Sequence, residues 1–502
     1  MASRWRTLRA LVAPPPELAV RVGFNGLAQL APVLVVLALT PLLLSRLGLD
    51  RFGIWALALV AVNTLRLVDG GIAASLARFY AIYAAHDEKA AAGRLLVGAF
   101  LGLAVIGLVL SLAMFPLAPA LVDLLDVPAG LEGEAALVFR WVPALATLAL
   151  MGESTSALLV GHGRFRALAA SMWTSAGAFA VAVVVFVDPG AHLEALMAAT
   201  AARYVVLITA NLLFAAQHLV IRWPFLPSLA TVREVGNYSS RMQVSALTGF
   251  VNTELDALVI AAVLPVRYVG LYQIGVQVAS AVRSLPLYAF APMLTRLTTI
   301  FRLEGRGETA AEFERLERMW LPAVVGYGVV AIAAIGFSVP VWLGDRYVLS
   351  GAVAAILLSG YTIHVGLTGM RTCYVRAVGR PGLETRCSAA WTVVNAILTV
   401  PLALLFGVVG VVTATAVAGV IASVYFVALC RREEQLPRVA LDTRWWLLAA
   451  AAAVTVAGEL AIVYTGFHGF LALALTGIPA LVGWAIVAGG WRRVLQARPA
   501  PV

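Results

Sequence analysis

"LDRFGIWALAL", residues 49–59, and "PVRYVGLYQIG", residues 265–275, each open a long apolar run, and their likeness decides the architecture. Their glycines, Gly53 and Gly270, stand 217 residues apart. Further on, "GHGRFRALAASMW" (161–173) resembles "AVGRPGLETRCSAAW" (377–391), and Gly163 and Gly379 stand 216 apart. Two separate matches at nearly one offset mark an internal repeat. The reading that follows is two six-helix halves, 1–218 and 219–435, with two further helices and a short tail in 436–502. Six is even, so both halves enter the membrane from the same side, as parallel repeats. Transporters built this way hold substrate at the repeat interface and work by rocking of the halves.

Composition sets the class. Of 502 residues, 62% are hydrophobic and only 12% charged, and the mean hydropathy is +0.92. Soluble domains carry about 25% charged residues, so this is an all-α polytopic membrane protein with no room for a large soluble domain. A spanning helix needs about 20 mostly apolar residues. Fourteen runs qualify: 20–44, 52–79, 93–121, 137–160, 167–187, 192–218, 236–262, 267–294, 320–343, 350–376, 385–406, 408–430, 444–464 and 469–490. The first follows a basic N-terminus without a small-residue cleavage site and reads as a span, not a removable signal.

The loops orient the chain. One alternate set is rich in arginine, from Arg4, Arg6 and Arg9 through Arg164 and Arg166 to Arg492 and Arg493; the other holds only Arg46, Arg51, Arg267 and Arg346. Two loops of the second set, "VDLLDVPAGLEGE" and "VDPGAHLE", are acidic. Both termini are therefore expected in the cytoplasm. The net charge of +10 belongs to this asymmetry, and no nucleic-acid partner is expected. In the long inner loop, "ETAAEFERLERMW" spaces Phe313, Leu316 and Trp320 as an amphipathic surface helix or a plain connector. Cys373, Cys387 and Cys430 have no metal-ligand spacing, so neither disulfide, metal nor cofactor is expected.

A few charges lie deep in the spans. Arg66, in "NTLRLVDGG" (63–71), is thirteen residues past Gly53, roughly 20 Å along a helix. Its repeat counterpart at offset 217 is Arg283, in "VASAVRSLPLY". Arginine at such depth faces a cavity or the bundle interior, because exposure to lipid costs several kcal/mol. Arg66 and Arg283 are the first candidates for a substrate site, with Arg203 of "TAARYVVL" as a third; pairing with internal carboxylates is the competing role. Asp69 sits at i+3 from Arg66, close enough to pair with it. Glu153 of "LMGESTSALL" is a coupling or ion-pair candidate. His364 is a packing residue or a proton relay. Glu254 and Asp256 lie toward the outer end of the seventh span, where Glu254 could reach the interface. Arg78, Arg241 and Arg371 sit near inner ends, where snorkelling is the simplest expectation.

At these residues the chain resembles a family. "LTPLLLSRLGLDRFGIWALALVAVNTLRLVDGGIAASLARFYA" is similar to the opening of bacterial polysaccharide and O-antigen flippases, within the multidrug/oligosaccharidyl-lipid/polysaccharide exporter superfamily. "VNTELDALVIAAVLPVRYVGLYQIG" carries the family's aspartate, here Asp256, followed by a glycine-aliphatic-tyrosine step. "ALLVGHGRFRALA" and "VRAVGRPGLE" look like its glycine-arginine turns. The likeness covers about residues 20–430. Fourteen spans look more like the peptidoglycan lipid-precursor flippases, though some polysaccharide members share that number.

The resemblance implies a lipid-linked oligosaccharide, a polyprenyl pyrophosphate carrying a short glycan, moved from inner to outer leaflet of a bacterial cytoplasmic membrane among membrane lipids and other glycan-assembly proteins. Arginine suits a pyrophosphate, because its fork of donors stays charged. Two alternatives stand. A cation-coupled multidrug exporter would want carboxylates and aromatics where this chain has arginine. A membrane-embedded glycan polymerase or ligase would want a large outer loop, and the outer loops are short. No G-x-x-x-x-G-K-[ST] loop is present to bind a nucleotide.

Overall fold

The computed structural model describes residues 16–65, 72–125, 127–128, 130–188, 192–287 and 290–437, with 450, 453–454 and 457–458 beyond them. Among these residues there are twelve α-helices and no strand: α1 Pro16–Leu65, α2 Ile72–Ala85, α3 Lys89–Leu124, α4 Glu132–Gly161, α5 Phe165–Phe186, α6 Leu193–Ala215, α7 Leu229–Val263, α8 Arg267–Leu287, α9 Phe290–Glu304, α10 Arg306–Leu343, α11 Val348–Ala377 and α12 Gly382–Glu434. Eight helices in the described residues are long and apolar enough to cross a membrane. Of the eight, α12 holds two expected spans, 385–406 and 408–430, and α1 holds the span 20–44 and the first part of the span 52–79, whose last residues lie in α2. The expected spans 444–464 and 469–490 fall almost wholly outside the described residues.

The breaks inside the two longest helices follow from single glycines. In α1 the helix is interrupted at Gly48, φ +77°, and in α12 at Gly407, φ +58°. Only glycine takes such angles without a Cβ penalty. These are the positions where the apolar runs 20–44/52–79 and 385–406/408–430 part. Gly163 and Gly379 also have positive φ, and they close α4 and α11 in one way. The Arg164 N–H donates to the Leu159 carbonyl at 2.8 Å, and the Arg380 N–H to the Val375 carbonyl at 2.7 Å. Both are the six-to-one bond of a left-handed helix C-cap.

Among the described residues the chain packs as two compact units, one within residues 20–270 and one within residues 271–502 with 1–19. In the first unit α4 packs on α2, α3 and α6, α5 on α6, and α2 on α7. Its core gathers Leu76, Phe79, Tyr80, Leu95, Leu158 and Leu168. Leu101, Val105, Leu108, Leu112 and Phe115 of α3 stay exposed. Their alternating steps of four and three form one stripe along the helix, a face suited to lipid. In the second unit α11 packs on α9, α10 and α12.

The "ETAAEFERLERMW" segment is not a surface helix. It forms the first turns of α10, with Phe313 and Trp320 buried and Leu316 partly buried. Phe313 packs its ring 5.3 Å from that of Tyr374, and the Trp320 indole N–H donates to the Val365 carbonyl at 3.0 Å. The residues face α11, so helical spacing here marked a protein contact.

Candidate functional site

Arg283 lies on α8. Its guanidinium carbon stands 4.3 Å from the centre of the Tyr361 ring, a close cation–π contact. Its Nε is buried with no hydrogen-bond partner among the described residues. His364 follows Tyr361 by three residues on α11, on the same helix face. The His364 ring lies 4.4 Å from the Trp391 ring of α12, and Tyr361 and Trp391 stand 6.3 Å apart. His364 Nδ1 is 2.9 Å from Ser423 Oγ. The Ser423 hydroxyl already donates to the Gly419 carbonyl at 2.6 Å, so it is free to accept, and Nδ1 is the donor of the pair.

The second unit thus brings together two residues singled out by sequence, Arg283 and His364, and adds three that were missed. Tyr361 was within reach, because it sits one turn from His364. Trp391 and Ser423 had no local signal: His364 and Ser423 are 59 residues apart in the chain.

The remaining candidates that are described, Arg203, Glu153 and Asp256, belong to the first unit. Arg66 and Asp69 lie outside the described residues. Arg203, half-buried on α6, has a buried Nε without a hydrogen-bond partner among the described residues. Its guanidinium lies 5.7 Å from the ring of adjacent Tyr204. Glu153 on α4 and Asp256 on α7 each engage an interaction partner, and Asp256 is buried. Glu254 does not simply reach the interface. It accepts from Asn63 Nδ2 at 3.0 Å, joining α7 to α1 three residues before Arg66. Arg140, on α4, was overlooked; its guanidinium lies 4.4 Å from the Phe115 ring centre.

Other arginines are structural. Arg371 does not snorkel. It is fully buried, 2.9 Å from Glu317 of α10, and donates to the Pro437 carbonyl at 3.1 Å. Arg46 donates to the carbonyls of Val184 at 2.9 Å and Val187 at 2.6 Å, satisfying the free C-terminal carbonyls of α5. Arg51 grips Glu134 with two bonds, 3.0 and 2.8 Å. Glu134 precedes the span expected over 137–160, and it also meets His192 Nδ1 at 2.9 Å and the Leu193 N–H at the start of α6. The Arg51 guanidinium, helped by His192 and that N–H, holds the Glu134 carboxyl down to about 2.

The arrangement offers cations, aromatic rings and a fixed imidazole. Among the described residues no group of three or more histidines, cysteines or carboxylates is placed to hold a metal. Guanidinium groups and aromatic rings in general suit anions and flat surfaces. Residues 43–348 match the family described as polysaccharide biosynthesis protein. The chain belongs to that family. A curated relative, named "Probable low-salt glycan biosynthesis flippase" from Haloferax volcanii, is 27% identical over 201 residues, 38% of this chain. The match spans only 40% of that relative's length.

Among solved structures, the lipid II flippase MurJ in an inward closed conformation superposes with a TM-score of 0.67. It is 13% identical, and the match covers 94% of this chain and 99% of that one. An inward-facing multidrug resistance transporter of the MATE family, MOP superfamily, gives 0.63 at 13% identity, covering 82% and 94%. The fold is therefore the multi-pass helical fold shared by these transporters.

Proposed function

We propose that this chain flips a polyprenyl-pyrophosphate-linked oligosaccharide from the inner to the outer leaflet by alternating access, for cell-surface polysaccharide synthesis. The observation that carries the reading is membership of the polysaccharide biosynthesis family together with Arg283, a deep cation whose Nε has no hydrogen-bond partner among the described residues. A diphosphate supplies acceptor oxygens for that fork of donors. Tyr361 holds the guanidinium without neutralising it.

In this reading Arg66, Arg203 and Arg283 receive the headgroup. Asp69, Glu153 and Asp256 form ion pairs or couple transport to a cation, and His364 is a further coupling candidate. The repeat reading, two halves over 1–218 and 219–435 with two added helices in 436–502, belongs to the same proposal. So do fourteen spans, both termini in the cytoplasm, residence in a bacterial cytoplasmic membrane, an O-antigen or lipopolysaccharide product and association with other glycan-assembly proteins. The likeness to MATE transporters favours a second reading, export of organic cations. The polymerase or ligase alternative has no support among these neighbours, which are transporters and flippases.

The test is binding of a polyprenyl-pyrophosphate glycolipid to purified protein, beside an organic cation. Binding of the anionic lipid, weakened at least about tenfold (1.4 kcal/mol) in a folded Arg66→Ala/Arg283→Ala variant, is expected. Binding of the cation alone would install the exporter reading.

A further inference from the structure

The segment between α6 and α7 forms an arch on the first unit, and both feet of the arch are pinned to α3 at glycines. The Val220 N–H donates to the Lys89 carbonyl at 3.2 Å. A Cβ added to Gly93 would come within 2.4 Å of the Val220 carbonyl oxygen, and one on Gly98 within 2.6 Å of Pro227 Cδ. The far foot runs into α7 through an N-cap: the Thr231 N–H donates to Ser228 Oγ at 3.2 Å. The arch is thus a positioned element.

Its crown is apolar and uncovered. Trp223 is 82% exposed and Leu229 86%, with Ile221, Phe225, Leu226 and Val232 also exposed. The Trp223 and Phe225 rings meet edge to face at 5.6 Å. From residue 219 to 232 the only charge is Arg222, which is exposed. Below the arch, the exposed apolar stripe of α3 begins at Leu101, one turn past Gly98. The arch therefore stands where the lipid-facing surface of α3 ends. Tryptophan beside arginine is the pairing favoured at a membrane–water interface.

We propose that the 221–229 arch inserts into the phospholipid headgroup layer, with Trp223, Phe225, Leu226 and Leu229 reaching the acyl boundary and Arg222 bound to lipid phosphate. The occupant is the bilayer itself: the apolar crown continues the lipid-facing stripe of α3, and the one charge complements phosphate. Interfacial segments of this kind bury their apolar side about 5–10 Å deep. The arch would hold the joint between α6 and α7 at one membrane depth.

The test uses the full chain in lipid nanodiscs, carrying Trp223→Cys labelled with an environment-sensitive fluorophore. Cys373, Cys387 and Cys430 are buried, so labelling is selective, and the unsubstituted protein sets the background. Leu112→Cys serves as a lipid-facing reference and Glu308→Cys as an aqueous one. Shallow nitroxide lipids are expected to quench the 223 label at least about twofold more than the 308 label, with iodide access reduced, as interfacial burial requires. Adding Arg222→Gln should lessen the shallow quenching. A 223 label open to iodide and untouched by lipid quenchers would overturn the proposal. Protection from both quenchers would also overturn it, because protein, a second copy or another partner, would then cover the arch.

Discussion

Gly270 rests directly on Gly53. A Cβ built on Gly270 would stand 3.2 Å from the Gly53 Cα, and one built on Gly53 would stand 2.5 Å from the Val266 carbonyl oxygen. Both residues belong to the first unit, and they are the pair that the sequence places 217 apart. The obstacle on each side is backbone, which cannot swing away as a side chain can.

Gly53→Ala or Gly270→Ala is therefore expected to push two helix starts apart. Overpacking of this kind costs about 1–3 kcal/mol. Thermal unfolding in detergent should show the loss, larger for Gly53→Val. Gly102→Ala, whose Cβ meets nothing within 4 Å, is the control and should be near neutral.

Arg283 and Tyr361 make the second prediction. Arg283→Lys keeps the charge but loses the flat fork that lies over the ring. Glycolipid binding should fall in Arg283→Lys and fall further in Arg283→Ala, with unfolding temperature little changed. Tyr361→Leu should weaken binding less than Arg283→Ala, since the charge remains. Equal binding by all four proteins would make the pair a packing contact.

The buried Arg371–Glu317 pair joins α11 to α10. Removing one partner of a buried pair leaves an uncompensated charge and costs about 3–5 kcal/mol. Arg371→Leu and Glu317→Leu should each lower the unfolding temperature sharply. The double variant should recover much of the loss, because neither charge is then left behind. Denaturant or thermal unfolding of the three variants checks the non-additivity.

Glu134 supplies a pH dependence. Its carboxyl is held near 2 in the folded chain, below its ordinary 4.5. A depressed carboxylate contributes stability that is complete above the unfolded value and disappears as pH falls through the folded one. Stability should therefore decline between about pH 4.5 and 2, and Glu134→Gln should remove that part of the decline. Unfolding followed at pH 6 and pH 3 in both proteins measures it; about equal slopes would show that Glu134 takes no part.

Much of the fold was legible in the chain, because the features that set it are local. Apolar runs of spanning length became α3 to α6 and α11, with bounds shifted by a few residues. The gaps between runs at 44–52 and 406–408 contain Gly48 and Gly407, and the backbone breaks at both. Gly163 and Gly379, matched by sequence, share one cap geometry. The surface-helix reading of 308–320 failed for a physical reason: helical spacing reports that one face is apolar, not whether lipid or protein covers it.

The candidate site was legible only in part. Arg283 and His364 stood out because charged or titratable groups are rare inside spans, and rarity is visible in one dimension. Their neighbours were not visible. Nothing near Trp391 or Ser423 in the chain says that both would meet His364. Arg371 looked like an interfacial arginine until Glu317, 54 residues away, closed over it. The sequence by itself determined that the chain is a helical membrane protein, where its helices break, and which deep groups are exceptional, since each depends on a few consecutive residues. Only the tertiary structure decided which of those groups is paired with a buried carboxylate, as Arg371 is with Glu317, and which lies against an aromatic ring, as Arg283 does on Tyr361, because burial and partners are set by segments far apart in the chain.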